Sequence, residues 1–561
     1  MTAYAAGTSG YGSTATPLGT DTTDSAGNFK IPKFSCPTTQ SQIYLVATGG
    51  TVNGNANSAV TFMTAVGACG QLAFSGGVFS TDLDELTTVA SAYALSQFMN
   101  PSNPSQIGAS STNSIGIANV AATVPNLANF VDGTPAAFLS TGNNSPATLD
   151  SLANILAACV QSSGATSAQC TTLNSSVQPP PPAPAATNTL MAALDMARNP
   201  VFNAAKLFGL QTENPPYQPA LASAPAAWTL GLNYIGGGLI QPYGIAIDSN
   251  GNVWTANQGN NSVSQFSPTG TAISPATGYT GNGLNFPIGI AIDPNNNVWV
   301  ANNSGNSISE FNPKGTAATG SPFTGNGLNG PQGIAFDVAG NAWVANVNGN
   351  SLSEFNFSGA PVGGSPFTGN GLTNPTSPAI DGAGNVWVAG NGIFSEFNSI
   401  GAPVGGSPFF GGGLISPKGV AIDAQGNAWA NNTGSKGIGG ISKFSSTGTA
   451  LSPAPSGFTG GGQDGTGIGI AIDSLGNAWS TNSGSSSASE TNSAGAPISP
   501  STGFTGSALS APHGIAIDAG GDVWVANFGG NSITEFIGTA SPVLTALSAC
   551  LRTQHVAVCK P

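Results

Sequence analysis

The sequence predicts a mainly β protein: a seven-bladed β-propeller preceded by a small β-sandwich-like module and a helical domain. Three observations predict it. A unit of about 45 residues recurs from about residue 236 onward. Seven of the eight Trp occupy one slot of that unit. Ahead of it, a short β-rich stretch gives way to segments with helical spacing. A period in this range with four short strand candidates per unit is the signature of a propeller.

Residues 1–72 read as the first module. Ile43 to Gly50 (IYLVATGG) is a short apolar strand ending in glycines. Asp24-Ser-Ala-Gly27-Asn28 predicts a turn before Phe29 and Ile31. Residues 78–227 read as the helical domain. Ser80-Thr-Asp-Leu-Asp-Glu85 opens a helix, since Ser and Asp cap well and early carboxylates suit a helix N-terminus. The acidic run Asp82, Asp84 and Glu85 is therefore read as capping. Ser145 to Val160 and Thr187 to Pro200 predict two further helices, the latter stopped by Pro200. The Pro-rich stretch at 178–186 predicts an extended linker inside this domain.

Residues 228–545 read as the propeller. Its unit is P-x-G-I-A-I-D-x-x-G-N-V-W-V-A-N, then N-S-I-S-E-F, then a Gly/Ser/Pro-rich stretch. The Asp recurs at 248, 293, 337, 381, 423, 473 and 518, and the Trp at 254, 299, 343, 387, 429, 479 and 524. G-I-A-I is a buried inner strand, D-x-x-G-N a hairpin turn, V-W-V-A the second strand and S-I-S-E-F the third. The Trp fills the space between neighbouring sheets. A fourth, outer strand falls in the stretch ending in Pro-Phe or Gly-Phe. Trp228 to Leu239 looks like the end of a unit without its beginning, placed to pair with the last unit and close the ring. Single four-stranded blades cannot bury both faces, whereas a ring of them does.

Composition limits the function. Only 10 Lys+Arg and 23 Asp+Glu occur in 561 residues, so 6% is charged and the net charge is -13. Ten basic residues cannot build a phosphate-neutralising surface, which excludes nucleic acid and argues against anionic lipid. No run of 18 apolar residues is present, so no transmembrane helix is predicted. The six Cys include no C-x-x-C pair. Proximity pairs Cys36 with Cys69, Cys159 with Cys170, and Cys550 with Cys559 in a C-terminal tail at 546–561. Such bridges suit an extracellular, periplasmic or cell-surface setting. Met1 leads into TAYAAGTSGYGS without a signal-peptide pattern, which points to a start truncated upstream.

The T-D-x-x-G-x-F pattern and the YLVAT strand resemble carboxypeptidase-regulatory-like (transthyretin-like) modules, over about 50 residues. The repeated unit resembles NHL-repeat propellers and, more closely, the streptogramin-lyase (virginiamycin B lyase-like) group, over about 300 residues. That resemblance implies seven blades. It also implies His side chains at the x position of P-x-G-I, with a Glu and a bound magnesium ion. The chain departs from this pattern. Of its two His, only His513 stands at such a position, and His555 lies in the tail. Elimination needs a base, so a lyase mechanism lacks a partner here.

The start of the first strand and the end of the second share one face of a propeller. The x residues there are Tyr243, Ile288, Gln332, Thr376, Lys418, Ile468 and His513. The residues closing V-W-V-A-N read as Asn257, Asn302, Asn346, Gly390, Asn431, Asn482 and Asn527. Tyr243, Gln332, Lys418, His513 and the six Asn are the candidate binding residues. The ring is neutral and amide-rich, which suits hydrogen bonding to a sugar or a peptide backbone. His513 is the one catalytic candidate, and no metal ligands are assigned. The D-x-x-G-N turns loosely resemble calcium loops but offer one or two oxygens each, against the six to eight calcium takes. Glu310, Glu354, Glu396, Glu490 and Glu535 recur in the S-E-F slot, where Gln265 and Lys443 also occur, so a solvated or edge position is expected. The leading expectation is an exported, non-enzymatic binding propeller for a protein or carbohydrate partner, with no cofactor. The alternative is a divergent lyase-like or lactonase-like enzyme at the central mouth, using a divalent cation such as magnesium or calcium.

Overall fold

A computed structural model describes residues 1–52, 54–72, 79–141, 144–178, 184–434, 439–506 and 508–545. Pro179 to Pro182 of the expected linker, and Cys550, His555 and Cys559 of the tail, lie outside the described residues.

The chain opens with four antiparallel strands: β1 (Thr2–Ala5), β2 (Thr16–Thr20), β3 (Gln42–Thr48) and β4 (Thr61–Ala68). Their order is β2-β1-β3-β4. The expected sandwich is not what forms. One sheet shares its core with helices: Tyr44, Val46, Met63 and Ala65 pack with Leu86, Val89 and Val120. The free edge of β4 is sealed by hydroxyls. Met63 N donates to Thr88 Oγ1, Ala65 N to Ser91 Oγ and Thr61 N to Thr189 Oγ1, at 2.9–3.0 Å. An edge strand needs such partners when it is buried. This is why the first helix, α1 (Glu85–Ala94), carries Thr and Ser on a fully buried surface.

Asp84, rather than Ser80, caps α1, in a reciprocal box with Thr87. Helices α2 (Ser114–Leu127), α3 (Ala147–Val160), α4 (Ala168–Val177), α5 (Thr189–Arg198) and α6 (Ala204–Phe208) follow. Those at 114–127, 168–177 and 204–208 were not read from sequence. The first contains Gly116, Val124 and Pro125, and these hide a helix from propensity. Disulfides join Cys36 to Cys69 and Cys159 to Cys170, which fits a non-cytoplasmic setting. Among the described residues no helix is long and apolar enough to cross a membrane.

The remaining chain forms a ring of seven antiparallel sheets among the described residues, numbered here as blades 1–7. Blade 1 shows the unit: inner strand Pro242–Ile247, then Val253–Asn257, Ser262–Phe266 and outer strand Tyr279–Thr280. Inner strands touch from blade to blade, and Pro242–Ile247 meets Pro512–Ile517 where the ring closes. The axis is crowded. A Cβ on Gly289 would lie 2.0 Å from the Gln332 carbonyl oxygen of the next blade, so glycine is required there. Closure comes from the N-terminal side. Gly231–Tyr234 pairs antiparallel with Ser532–Phe536 and serves as the outer strand of blade 7.

Each turn is built on its Asp. Asp248 Oδ1 accepts from the backbone N of Asn250 and Asn252, both at 2.9 Å. In blades 1, 3, 4, 5 and 7 the Asp Oδ2 accepts from the Trp Nε1 at 2.9–3.2 Å. All seven Trp are buried. The aromatic residue of the outer strand stacks on this Trp, as Phe367 does on Trp343 at 5.3 Å.

The helices seat on the turn face of the ring at blades 7 and 1. Asn113 donates to Ala519 O, Asn119 to Asn250 O and Asn126 to Thr269 O. Tyr234 stacks between Phe138 and Trp524. The segment after blade 7 crosses the same face. Val543 N donates to Asp518 O and Thr545 Oγ1 to Asp248 O. Val543 and Thr545 thereby wall one end of an axial cavity of about 350 Å3, lined otherwise by the inner strands.

Candidate functional site

The opposite face, where inner strands begin, carries the x residues around the mouth of the axis. Tyr243, Gln332, Lys418, Ile468 and His513 are half-buried there, while Ile288 and Thr376 are buried. Blade 7 follows blade 6 and precedes blade 1 in the ring, so His513 and Tyr243 become neighbours. Their rings meet edge to face at 4.6 Å. Phe528 completes the cluster: it stacks on His513 at 4.3 Å with an interplanar angle of 13°, and stands edge-on to Tyr243 at 6.2 Å. Sequence reasoning missed Phe528. It follows Asn527, at a position held elsewhere by Gln258, Asn303, Val347, Asn391, Thr433 and Ser483. An aromatic there in one blade alone was the available signal. Gln332 and Lys418 lie on other blades, away from this seam.

Burial pushes the His513 imidazole down to about 4 and the Tyr243 phenol up. His513 is therefore neutral at pH 7. Its Nδ1 is buried and has no hydrogen-bond partner among the described residues.

The asparagines are a correction. Asn257, Asn302, Asn346, Asn431, Asn482 and Asn527 are no more than 2% exposed. Asn257 Nδ2 donates to Ser262 Oγ at 3.0 Å and Ser264 Oγ at 2.8 Å. Asn302, Asn346, Asn482 and Asn527 make the equivalent pair of bonds. The amides knit the second strand to the third and leave nothing for a ligand, because a buried amide must spend its donors locally. In blade 5 this role belongs to Asn432, which donates to Gly440 O and Ser442 Oγ. Asn431 is one residue earlier, so strand alternation turns it toward blade 6, where it donates to Gly469 O and Thr481 O.

The S-E-F glutamates are a second correction. Glu310, Glu354, Glu396, Glu490 and Glu535 are buried, not solvated. Each faces the turn Asp of its own blade. Asn341 Nδ2 bridges Asp337 Oδ2 at 3.3 Å and Glu354 Oε1 at 2.8 Å. Burial, with the Asp charge beside it, pushes the carboxyls of Glu310, Glu354 and Glu396 up to about 7. Glu490 and Glu535 are pushed well up for the same reasons. In blade 1 the slot holds Gln265, whose Nε2 donates to Pro313 O of the next blade at 3.2 Å. In blade 5 it holds Lys443, whose Nζ lies 3.5 Å from Asp423 Oδ2 and donates to Ser493 O at 2.8 Å.

These bonds also bear on metal. The turn Asp oxygens are engaged by backbone N–H, Asn and Trp donors, so the turns do not present the free oxygens calcium or magnesium takes. Among the described residues no group of three or more His, Cys, Asp or Glu is arranged to hold a metal ion.

The model for the NHL repeat matches residues 284–311 and 509–536, which correspond to the first three strands of blades 2 and 7. Two of the seven units thus match the NHL repeat. None of the curated protein sequences compared matches the chain. Among solved structures, a streptogramin B lyase is similar at 17% identity and TM-score 0.45, over 55% of this chain and 97% of that one. Virginiamycin B lyase from Staphylococcus aureus is similar at 19% identity and TM-score 0.43, over 55% of this chain and 98% of that one. The WD40 propeller domain of Doa1 is similar at 11% identity and TM-score 0.43, over 55% and 97%.

Proposed function

We propose that the chain is an exported binding module whose propeller engages a protein or carbohydrate partner on the mouth face, and that it is not an enzyme. The carrying observation is the cluster of Tyr243, His513 and Phe528, three rings from two blades meeting at one half-buried seam. Aromatic rings beside neutral polar groups suit the apolar faces of sugars and the side chains of a peptide. Three exposed apolar side chains, Ile240, Phe286 and Phe410, lie in loops of the same face. The turn face is occupied at blades 7 and 1 by the helices and by the chain after blade 7. In this reading residues 1–72 and 78–227 present residues 228–545 to the partner outside the cytoplasm.

The test is a glycan and peptide array probed with the intact chain and with Tyr243→Ser and His513→Ala. Hits lost in both variants at unchanged thermal stability support the reading. Binding that survives both overturns it, as does a metal-dependent turnover that is lost in His513→Ala.

A further inference from the structure

Within the blades the recurrent polar side chains are spent on the fold: the turn Asp bond their own turns, and the Asn closing the second strands bond hydroxyls of the third. The polar x residues differ. Among the described residues the Tyr243 hydroxyl, the Gln332 amide, the Lys418 ammonium and the His513 imidazole make no hydrogen bond and no ion pair. Thr376 alone of the polar x residues is spent, on Pro417 O. The four unspent groups come from blades 1, 3, 5 and 7, so they surround the mouth. All four are half-buried. The buried His513 Nδ1 is the costliest of them to leave unpaired.

Each of the four also sits where its inner strand slips register against the second strand, between Pro242 and Ile245, Pro331 and Ile334, Pro417 and Gly419, and Pro512 and Ile515. Such bulges insert an extra residue and re-aim its side chain, and they recur beside binding sites. Unpaired polar groups converging on one concave mouth are what a ligand site requires. The same bulges interrupt the strand edge. An extended peptide needs a continuous free edge for its backbone, whereas separate side-chain donors and acceptors suit the scattered hydroxyls of a sugar.

Lys418 sets the charge of that sugar. The chain has 23 Asp+Glu against 10 Lys+Arg, yet no carboxylate pairs with Lys418, while Lys443 of the same blade is paired with Asp423. Among the described residues the mouth loops carry one carboxylate, Asp464, and its oxygens accept from Thr466 and Ser485. One unpaired ammonium fits one carboxylate, and the net charge of -13 disfavours a polyanion. Resting on the mouth-face reading above, we propose that the ligand is an oligosaccharide carrying an isolated uronic acid among neutral sugars. Lys418 holds the carboxylate, and Gln332, His513 Nδ1 and the Tyr243 hydroxyl bond sugar hydroxyls. The seam of Tyr243 and Phe528 covers an apolar sugar face.

The probes are oligosaccharides of glucuronoxylan, hyaluronan and gellan, each paired with its carboxyl-reduced counterpart and titrated calorimetrically into the full chain. At least one acidic probe is expected to bind about tenfold or more tighter than its reduced form, the range of one hydrogen bond to a charged group. Lys418→Gln is expected to remove that preference and leave the reduced form bound as before. Lys418→Arg keeps the charge and is expected to keep the preference, which separates loss of charge from loss of fold. The proposal is overturned if no acidic probe binds, if reduced probes bind as tightly as acidic ones, if Lys418→Gln keeps the preference, or if acidic peptides and not sugars are held through Lys418. Neutral sugars or peptides that bind the unaltered chain and are lost in Tyr243→Ser would leave the mouth-face reading standing and sink the carboxylate alone. Binding that survives both Lys418→Gln and Tyr243→Ser would sink both.

Discussion

Replacing Glu354 by Gln should stabilise the protein at pH 8 and leave it unchanged at pH 4. The Glu354 carboxyl is buried beside Asp337, and this raises it from 4.5 to about 7. A carboxyl raised in the folded state binds its proton more tightly there than in the unfolded chain. The resulting stability is fully present below about 4.5 and is lost as pH rises through about 7. At about 1.4 kcal/mol per pH unit the ceiling is about 3.4 kcal/mol. Solvent reaching the outer rim of the slot screens the pair, so we expect about 1–2 kcal/mol. Gln keeps the shape, removes the charge and can donate as Gln265 does to Pro313 O. The assay is urea unfolding followed by Trp fluorescence, which reports the blades directly because their seven Trp are buried. A variant less stable than the parent at pH 8, or equally stabilised at both pH values, refutes the reasoning.

The same arithmetic applied to Glu310 and Glu396 predicts that the unaltered chain loses several kcal/mol of stability between pH 4.5 and 8, measurable as a falling urea midpoint. Lys443→Met should cost about 1–3 kcal/mol, since it leaves the buried Asp423 without its cation; an unchanged midpoint would count against the ion pair. Asn346→Ala should cost about 2–4 kcal/mol by unpairing Ser351, Ser353 and the Asn329 N–H, while array binding at the mouth face persists. Replacing Cys159 and Cys170 together by Ser should cost about 2–3 kcal/mol, given their separation of 11 residues, and make the helical region's hydrogen exchange faster.

The propeller was legible because its signals are local and repeated. An Asp that bonds its own turn and a Trp that fills one slot recur seven times. The candidate site was legible only in part. Tyr243 and His513 lie 270 residues apart in the sequence, and only ring closure makes them touch. The asparagines looked like a polar rim because their burial depends on Ser262 and Ser264 standing opposite on the next strand. Hydroxyls at alternate positions of S-V-S and S-I-S were the overlooked hint. The glutamates looked solvated because nothing in a single unit shows that their slot is buried in the assembled ring.

The sequence by itself determined the unit, its number of copies and the strand that closes the ring, since turns and alternation depend on residues within a few positions of one another. Only the tertiary structure decided which polar groups are buried and where the aromatic seam lies. Each of those depends on the partner a residue meets across the ring, and closure by Gly231–Tyr234 against Ser532–Phe536 sets that partner for the last blade.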